Sequence, residues 1–98
     1  MPDSDDVNLV MRAIADPVRR SIIDLLSDGT SRSLFSICVD LSQNSELHLS
    51  RQAVTKHLNV LESAGLLDVE WQGRTKLHTF NGGPLKALGK GWLKKYLK

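Results

Sequence analysis

The chain of 98 residues is 41% hydrophobic and 24% charged, which is typical of soluble globular proteins, and we expect one domain over residues 1–98. No apolar run approaches the roughly 20 residues that cross a bilayer, and the acidic start lacks the apolar segment of a secretory signal. The single cysteine, Cys38, cannot form an internal disulfide, so we expect a cytoplasmic protein.

The net charge of +2 is unevenly distributed along the chain. Residues 1–49 hold four Lys/Arg against eight Asp/Glu (−4), whereas residues 50–98 hold nine Lys/Arg against three Asp/Glu (+6). The basic half favours a polyanionic partner, either nucleic acid or an anionic membrane surface.

Two helices separated by a proline are predicted first. Apolar side chains three and four residues apart predict a first helix over about residues 5–15. These side chains are Val7, Val10, Met11 and Ile14. Asp16 can cap a second helix, and Pro17 suits its first turn because no intrahelical N–H bond is needed there. Gly29 is a stop signal after that helix.

A third helix is predicted over about residues 33–42, after a polar link at 30–33. Leu34, Ile37, Cys38 and Leu41 share one apolar stripe, so we expect Cys38 to act as a small buried hydrophobe. The segment 42–49 has weak periodicity and is expected to turn.

The fourth predicted helix, over residues 50–64, has a polar face suited to DNA. Ser50 is a good N-cap and Gly65 a good C-terminal stop. On a helical wheel the polar side chains cover an arc of about 140°, and the first three turns of this arc carry no carboxylate. Arg, Gln, Thr, Lys and Asn are the residue types that donate to phosphates and read base edges. From this helix we expect DNA contacts from Ser50, Arg51, Gln52, Thr55, Lys56 and Asn59.

A hairpin and a last helix complete the chain. Apolar and polar residues alternate from Leu67 to Thr79 around Gln72-Gly73, which predicts two strands joined by a two-residue turn. The tip residues Arg74, Thr75 and Lys76 suit a minor groove or its flanking phosphates. A last helix is predicted over about residues 84–97. Its apolar stripe consists of Leu85, Leu88, Trp92 and Tyr96.

The order α-α-α-α-β-β-α is the layout of a winged helix-turn-helix, a mainly α fold with a small β-hairpin. It predicts a sequence-specific DNA-binding regulator that inserts helix 50–64 into the major groove and hairpin 71–76 into or beside the minor groove. Two alternatives stay open. One is a winged-helix module that binds proteins instead of DNA; the other is a membrane-binding basic tail around Trp92.

Three runs resemble parts of the ArsR-type bacterial transcriptional repressors. The run Ala15-Asp16-Pro17-Val18-Arg19-Arg20-Ser21-Ile22-Ile23-Asp24-Leu25-Leu26 is similar to the family's second helix, and residues 50–67 resemble its recognition helix. The run Gly73-Arg74-Thr75-Lys76 is similar to the family wing. The resemblance implies a homodimeric repressor on a palindromic operator, with the first and last helices as the dimer interface. The interface residues would be Val7, Val10, Met11, Ile14, Leu88, Trp92 and Tyr96. The segment 42–49 departs from the family because it is longer than the usual turn.

Metal sensing and catalysis find little support. Family metal sites use paired thiolates in the third helix or His and carboxylates on the last helix. Cys38 is a single thiol, and residues 85–98 contain no His, Asp, Glu or Cys. We therefore expect no metal and no cofactor. Without a phosphate-binding loop or a nucleophile motif we also expect no enzyme activity. His57 borders the polar face and has three open roles, namely packing, a backbone hydrogen bond or a phosphate contact.

Overall fold

Five α-helices and a three-stranded antiparallel sheet make up the computed structural model, which describes residues 2–44 and 48–97. The helices are α1 (Pro2–Ile14), α2 (Pro17–Leu26), α3 (Leu34–Asn44), α4 (Arg51–Ser63) and α5 (Gly83–Lys90). The strands are β1 (Arg32–Ser33), β2 (Leu67–Gln72) and β3 (Thr75–Phe80), in the order β1-β3-β2. The turn predicted at 42–49 begins later than expected, because α3 continues through residues 42–44; residues 45–47 lie outside the described residues.

Side-chain caps define where α2 and α4 begin, as the sequence predicts. Asp16 Oδ1 accepts hydrogen bonds from the N–H groups of Val18 at 2.8 Å and Arg19 at 3.1 Å. Ser50 Oγ accepts from the N–H of Ala53 at 3.1 Å. Each cap satisfies donors of the first turn that have no partner within the helix.

The last helix is shorter than predicted. We expected it over about residues 84–97, but α5 ends at Lys90 and a short 3-10 helix follows over Trp92–Tyr96. Gly91 produces the break: its φ of −96° and ψ of −124° are not helical, and its N–H still donates to Ala87 O at 2.9 Å. A Cβ at Gly91 would lie 3.1 Å from that same oxygen, so the close approach favours glycine.

The sheet has one more strand than the predicted hairpin. Residues 30–33 were expected to be a polar link, but Arg32 and Ser33 form β1 and pair with His78 and Leu77 of β3. The turn prediction was wrong by one residue. Gln72 pairs with Thr75, so the two-residue loop is Gly73-Arg74, with Gly73 at φ +63°. A two-residue hairpin loop requires positive φ at its centre, which glycine adopts without strain.

The core lies where α1 to α4 meet the base of the hairpin, and it determines how α4 is oriented. The buried cluster consists of Ala13, Ile22, Leu26, Ile37, Leu41, Val54, Leu58, Leu61, Leu66 and Leu67. Cys38 packs against this cluster but is only half-buried, so the prediction of a small buried hydrophobe holds for its packing and overstates its burial. Because Val54, Leu58 and Leu61 are all buried, the opposite face of α4 must point to solvent.

Candidate nucleic-acid interface

The polar face of α4 is open to solvent along the whole helix. The contact residues predicted for this helix are all exposed, and they are Ser50, Arg51, Gln52, Thr55, Lys56 and Asn59. Ser50 also caps the helix, so its hydroxyl oxygen already accepts one hydrogen bond. The structure therefore places all the predicted α4 side chains on a single accessible surface.

One flank of α4 is fixed to α1 and α2 through Arg19. Arg19 Nη1 lies 3.3 Å from His57 Nδ1. Because guanidinium groups only donate, Nδ1 of His57 is the acceptor in this contact. The same guanidinium donates from Nε to Ala13 O at 2.7 Å and from Nη2 to Arg12 O at 2.8 Å. His57 thus takes a fourth role that the sequence did not suggest, a side-chain bond to α2.

The other flank of α4 is fixed to the hairpin. Lys76 Nζ on β3 lies 3.3 Å from Glu62 Oε1 near the end of α4. Both side chains are partly exposed, so the pair stabilises the fold only modestly. The pair also concerns the predicted site, because Lys76 is one of the predicted DNA-contact residues and has Glu62 as its partner in this structure; its contact with DNA stays a prediction.

The hairpin, called the wing below, is anchored at its base by a buried histidine. The Nδ1–H of His78 donates to Arg32 O at 3.1 Å, and burial lowers the pKa of His78 below its ordinary value. The Arg32 side chain binds Asp40 of α3 and, at 3.2 Å, Asp28. β1 therefore joins the wing to α3. At the other end, Arg74 and Thr75 are exposed as predicted.

An open apolar groove of about 1020 Å³ runs between α1 and α5. Among its lining residues are five of those predicted for the dimer interface, namely Val7, Val10, Met11, Leu88 and Trp92. The other two lie elsewhere: Ile14 packs against the core, and the Tyr96 ring lies 5.2 Å from the Trp92 ring. The two faces of the predicted interface are therefore adjacent within one protomer.

Within residues 2–44 and 48–97, no group of three His, Cys, Asp or Glu side chains is placed to hold a metal ion. In the same part of the chain, no helix has the length and apolar character needed to cross a membrane.

Known helix-turn-helix proteins are similar to this chain. A family model described as a helix-turn-helix domain matches residues 14–70. The HTH-type transcriptional regulator YuzN of Bacillus subtilis is 39% identical over 84 residues, covering 86% of this chain and 91% of YuzN. The chain belongs to the helix-turn-helix transcriptional regulators. The transcriptional repressor SdpR of the same organism is 29% identical over 75 residues, covering 76% of each chain.

The fold of this regulator is the ArsR-type winged helix-turn-helix. The ArsR-like transcriptional regulator from Rhodococcus sp. RHA1 is similar, with a TM-score of 0.77 and 28% identity over 97% of this chain and 80% of that chain. The family resemblance noted on residues 15–26 and 50–67 is thereby confirmed. The matched range 14–70 includes α2, α3, α4 and most of β2.

Proposed function

We propose that this regulator is a homodimeric repressor that binds duplex DNA sequence-specifically, with α4 in the major groove and the wing in or beside the adjacent minor groove. One observation carries the proposal: the exposed face of α4 presents Arg51, Gln52, Thr55, Lys56 and Asn59 together. A helix is the element that the major groove admits, and these side chains are its usual readers. The similarity to SdpR, a transcriptional repressor, supports the direction of regulation.

The proposed contacts divide into two classes. Arg51, Lys56 and Arg74 meet phosphates, which fix position and supply most of the salt-dependent affinity. Gln52 and Thr55 lie in the first turns of α4 and read base edges. The polar side chains of Asn59, Thr75 and Ser50 supplement both classes. The function is binding, without a catalytic step or cofactor, and its setting is the cytoplasm.

A second copy of the chain is the proposed protein partner, and the α1–α5 groove is where it docks. Trp92 is 52% exposed at the rim of this groove, and a domain of this size gains from burying such a surface. A two-fold axis there would duplicate α4 and place two half-sites about 34–36 Å apart on a palindromic operator.

Single substitutions test the two classes of contact. Lys56→Ala and Arg74→Ala should each weaken binding to all sequences alike and lower the slope of log K against log salt by about 0.9. Gln52→Ala should cost about 1–3 kcal/mol on the preferred site and relax one base position. Fluorescence anisotropy on specific and random duplexes at several salt concentrations measures all three variants.

Lys86→Ala is the matched control, because this exposed cation lies on α5, outside the proposed DNA-contact surface. The slope of log K against log salt for this variant should equal that of the wild type. Unchanged slopes for both Lys56→Ala and Arg74→Ala would remove these residues from the interface. A wild-type protein that binds no duplex would overturn the proposal and favour the protein-interaction module.

A further inference from the structure

Trp71 is a large aromatic residue left exposed near the tip of the wing. Along β2 the side chains of Leu67, Val69 and Trp71 leave on one face of the strand, because strand residues alternate between faces. Exposure increases along this face towards the tip: Leu67 is buried, Val69 is half-buried, and Trp71 is 66% exposed. The apolar face of the wing thus continues beyond the core that covers its base.

The register of the sheet shows which way this face points. Trp71 pairs with Lys76 on β3, and directly opposite residues of an antiparallel pair share a face. The Lys76 ammonium reaches Glu62 of α4. Trp71 therefore lies on the face of the wing that is turned towards α4.

The other exposed tryptophan has its own neighbours. The Trp92 ring lies 5.2 Å from the Tyr96 ring and 5.9 Å from Lys95 Nζ, at the groove between α1 and α5. Among the described residues, Trp71 has no comparable ring or cation contact. Trp71 is not among the residues that line that groove, so a partner docked in the groove does not account for its exposure.

Duplex DNA is the partner that fits this position. A duplex that touches both the polar face of α4 and Arg74 at the tip would pass along the side of the wing that is turned towards α4, and Trp71 lies on that side. The exposed cations Arg51, Lys56 and Arg74 favour a polyanion on this side. Deoxyribose presents apolar edges that an indole can cover, and the indole N–H can donate to a phosphate oxygen.

We propose that Trp71 is a DNA-contact residue that packs its indole against the sugar–phosphate backbone at the edge of the minor groove. The inference rests on the proposed function, since it requires α4 and the wing to bind one duplex. The contact is mainly apolar, and it therefore adds affinity without adding to the counterions released.

The distinctive readout is affinity loss without a change in salt dependence. Trp71→Ala should weaken binding about tenfold at every salt concentration, with the wild-type slope of log K against log salt and an unchanged melting temperature. Trp71→Phe should retain most of the affinity.

Glu70→Gln, on the opposite face of the same strand, is the matched control and should not weaken binding. Saturating DNA should shift the tryptophan emission of the wild type, and Trp71→Phe should lose most of this shift.

If Trp71→Ala binds DNA with wild-type affinity, the inference is overturned. It is also overturned if the variant loses affinity and its slope of log K against log salt falls, because Trp71 would then act by holding cations in place. These results differ from failure of the proposed function, in which the wild type itself binds no duplex. Trp71→Arg provides a further check: a cation at a site that faces the backbone should raise the slope by about 0.9, and an unchanged slope would contradict that position.

Discussion

Trp92→Glu should convert the proposed homodimer into a monomer and weaken binding to a two-half-site operator about a hundredfold. Trp92 lies at the rim of the α1–α5 groove, which is lined by apolar side chains such as Val7 and Met11. In a dimer the substitution would remove the indole and bury a carboxylate in its place, which is costly even with Lys95 nearby. Asp6 also lines the groove, so the new carboxylate would meet a like charge. The monomer would then bind one half-site at a time and lose the gain from simultaneous binding.

Sedimentation equilibrium at micromolar concentration measures the first effect, and operator titration measures the second. Phe35→Glu is the matched control, because Phe35 on α3 is 68% exposed and lies outside the groove; this variant should remain dimeric. A Trp92→Glu protein that is still dimeric would show that the interface lies elsewhere. A wild type that stays monomeric at this concentration would contradict the homodimer itself.

Arg19→Ala should lower the free energy of unfolding by about 2–4 kcal/mol, since hydrogen bonds from a charged donor contribute about 1.5–3 kcal/mol each and are not additive. The guanidinium donates to Arg12 O and Ala13 O at the end of α1 and to His57 Nδ1 on α4. Its loss would leave helix-end carbonyls without this donor, and it would release one flank of α4.

Urea denaturation compares this variant with two others. Arg20→Ala removes an exposed arginine whose Nη1 donates to Ile14 O at 2.6 Å, so its loss of stability should be smaller. Arg19→Lys keeps the charge but cannot reproduce the three-way geometry and should fall between wild type and Arg19→Ala. Equal stability of Arg19→Ala and Arg20→Ala would show that the bonds joining α1, α2 and α4 contribute little.

Features set by neighbouring residues could be predicted from the sequence. The caps at Asp16 and Ser50, the apolar stripe of α4 and its polar face all depend on spacings within one helix. The strand alternation before and after Gly73 is equally local. These patterns were sufficient for the winged helix-turn-helix fold and for the exposed polar face of α4.

Features that depend on residues distant in the chain were missed. β1 is two residues long and forms because Arg32 and Ser33 meet β3 more than forty residues later. The break at Gly91 was missed because the apolar stripe continues through Trp92 and Tyr96, although a glycine at this position disfavours a continuous helix. Because these partners are far apart in the chain, the sequence also could not show that Lys76 pairs with Glu62 or that His57 binds Arg19.

Selection of bound fragments from a random duplex library by the purified wild-type protein tests the central proposal most directly. Two copies of α4 related by a two-fold axis should enrich an inverted repeat whose half-sites are centred about 10 base pairs apart. Sequencing of the bound fraction would reveal this motif. If the bound fragments share no enriched sequence, or if no fragment is bound at all, the proposal of a sequence-specific dimer is contradicted.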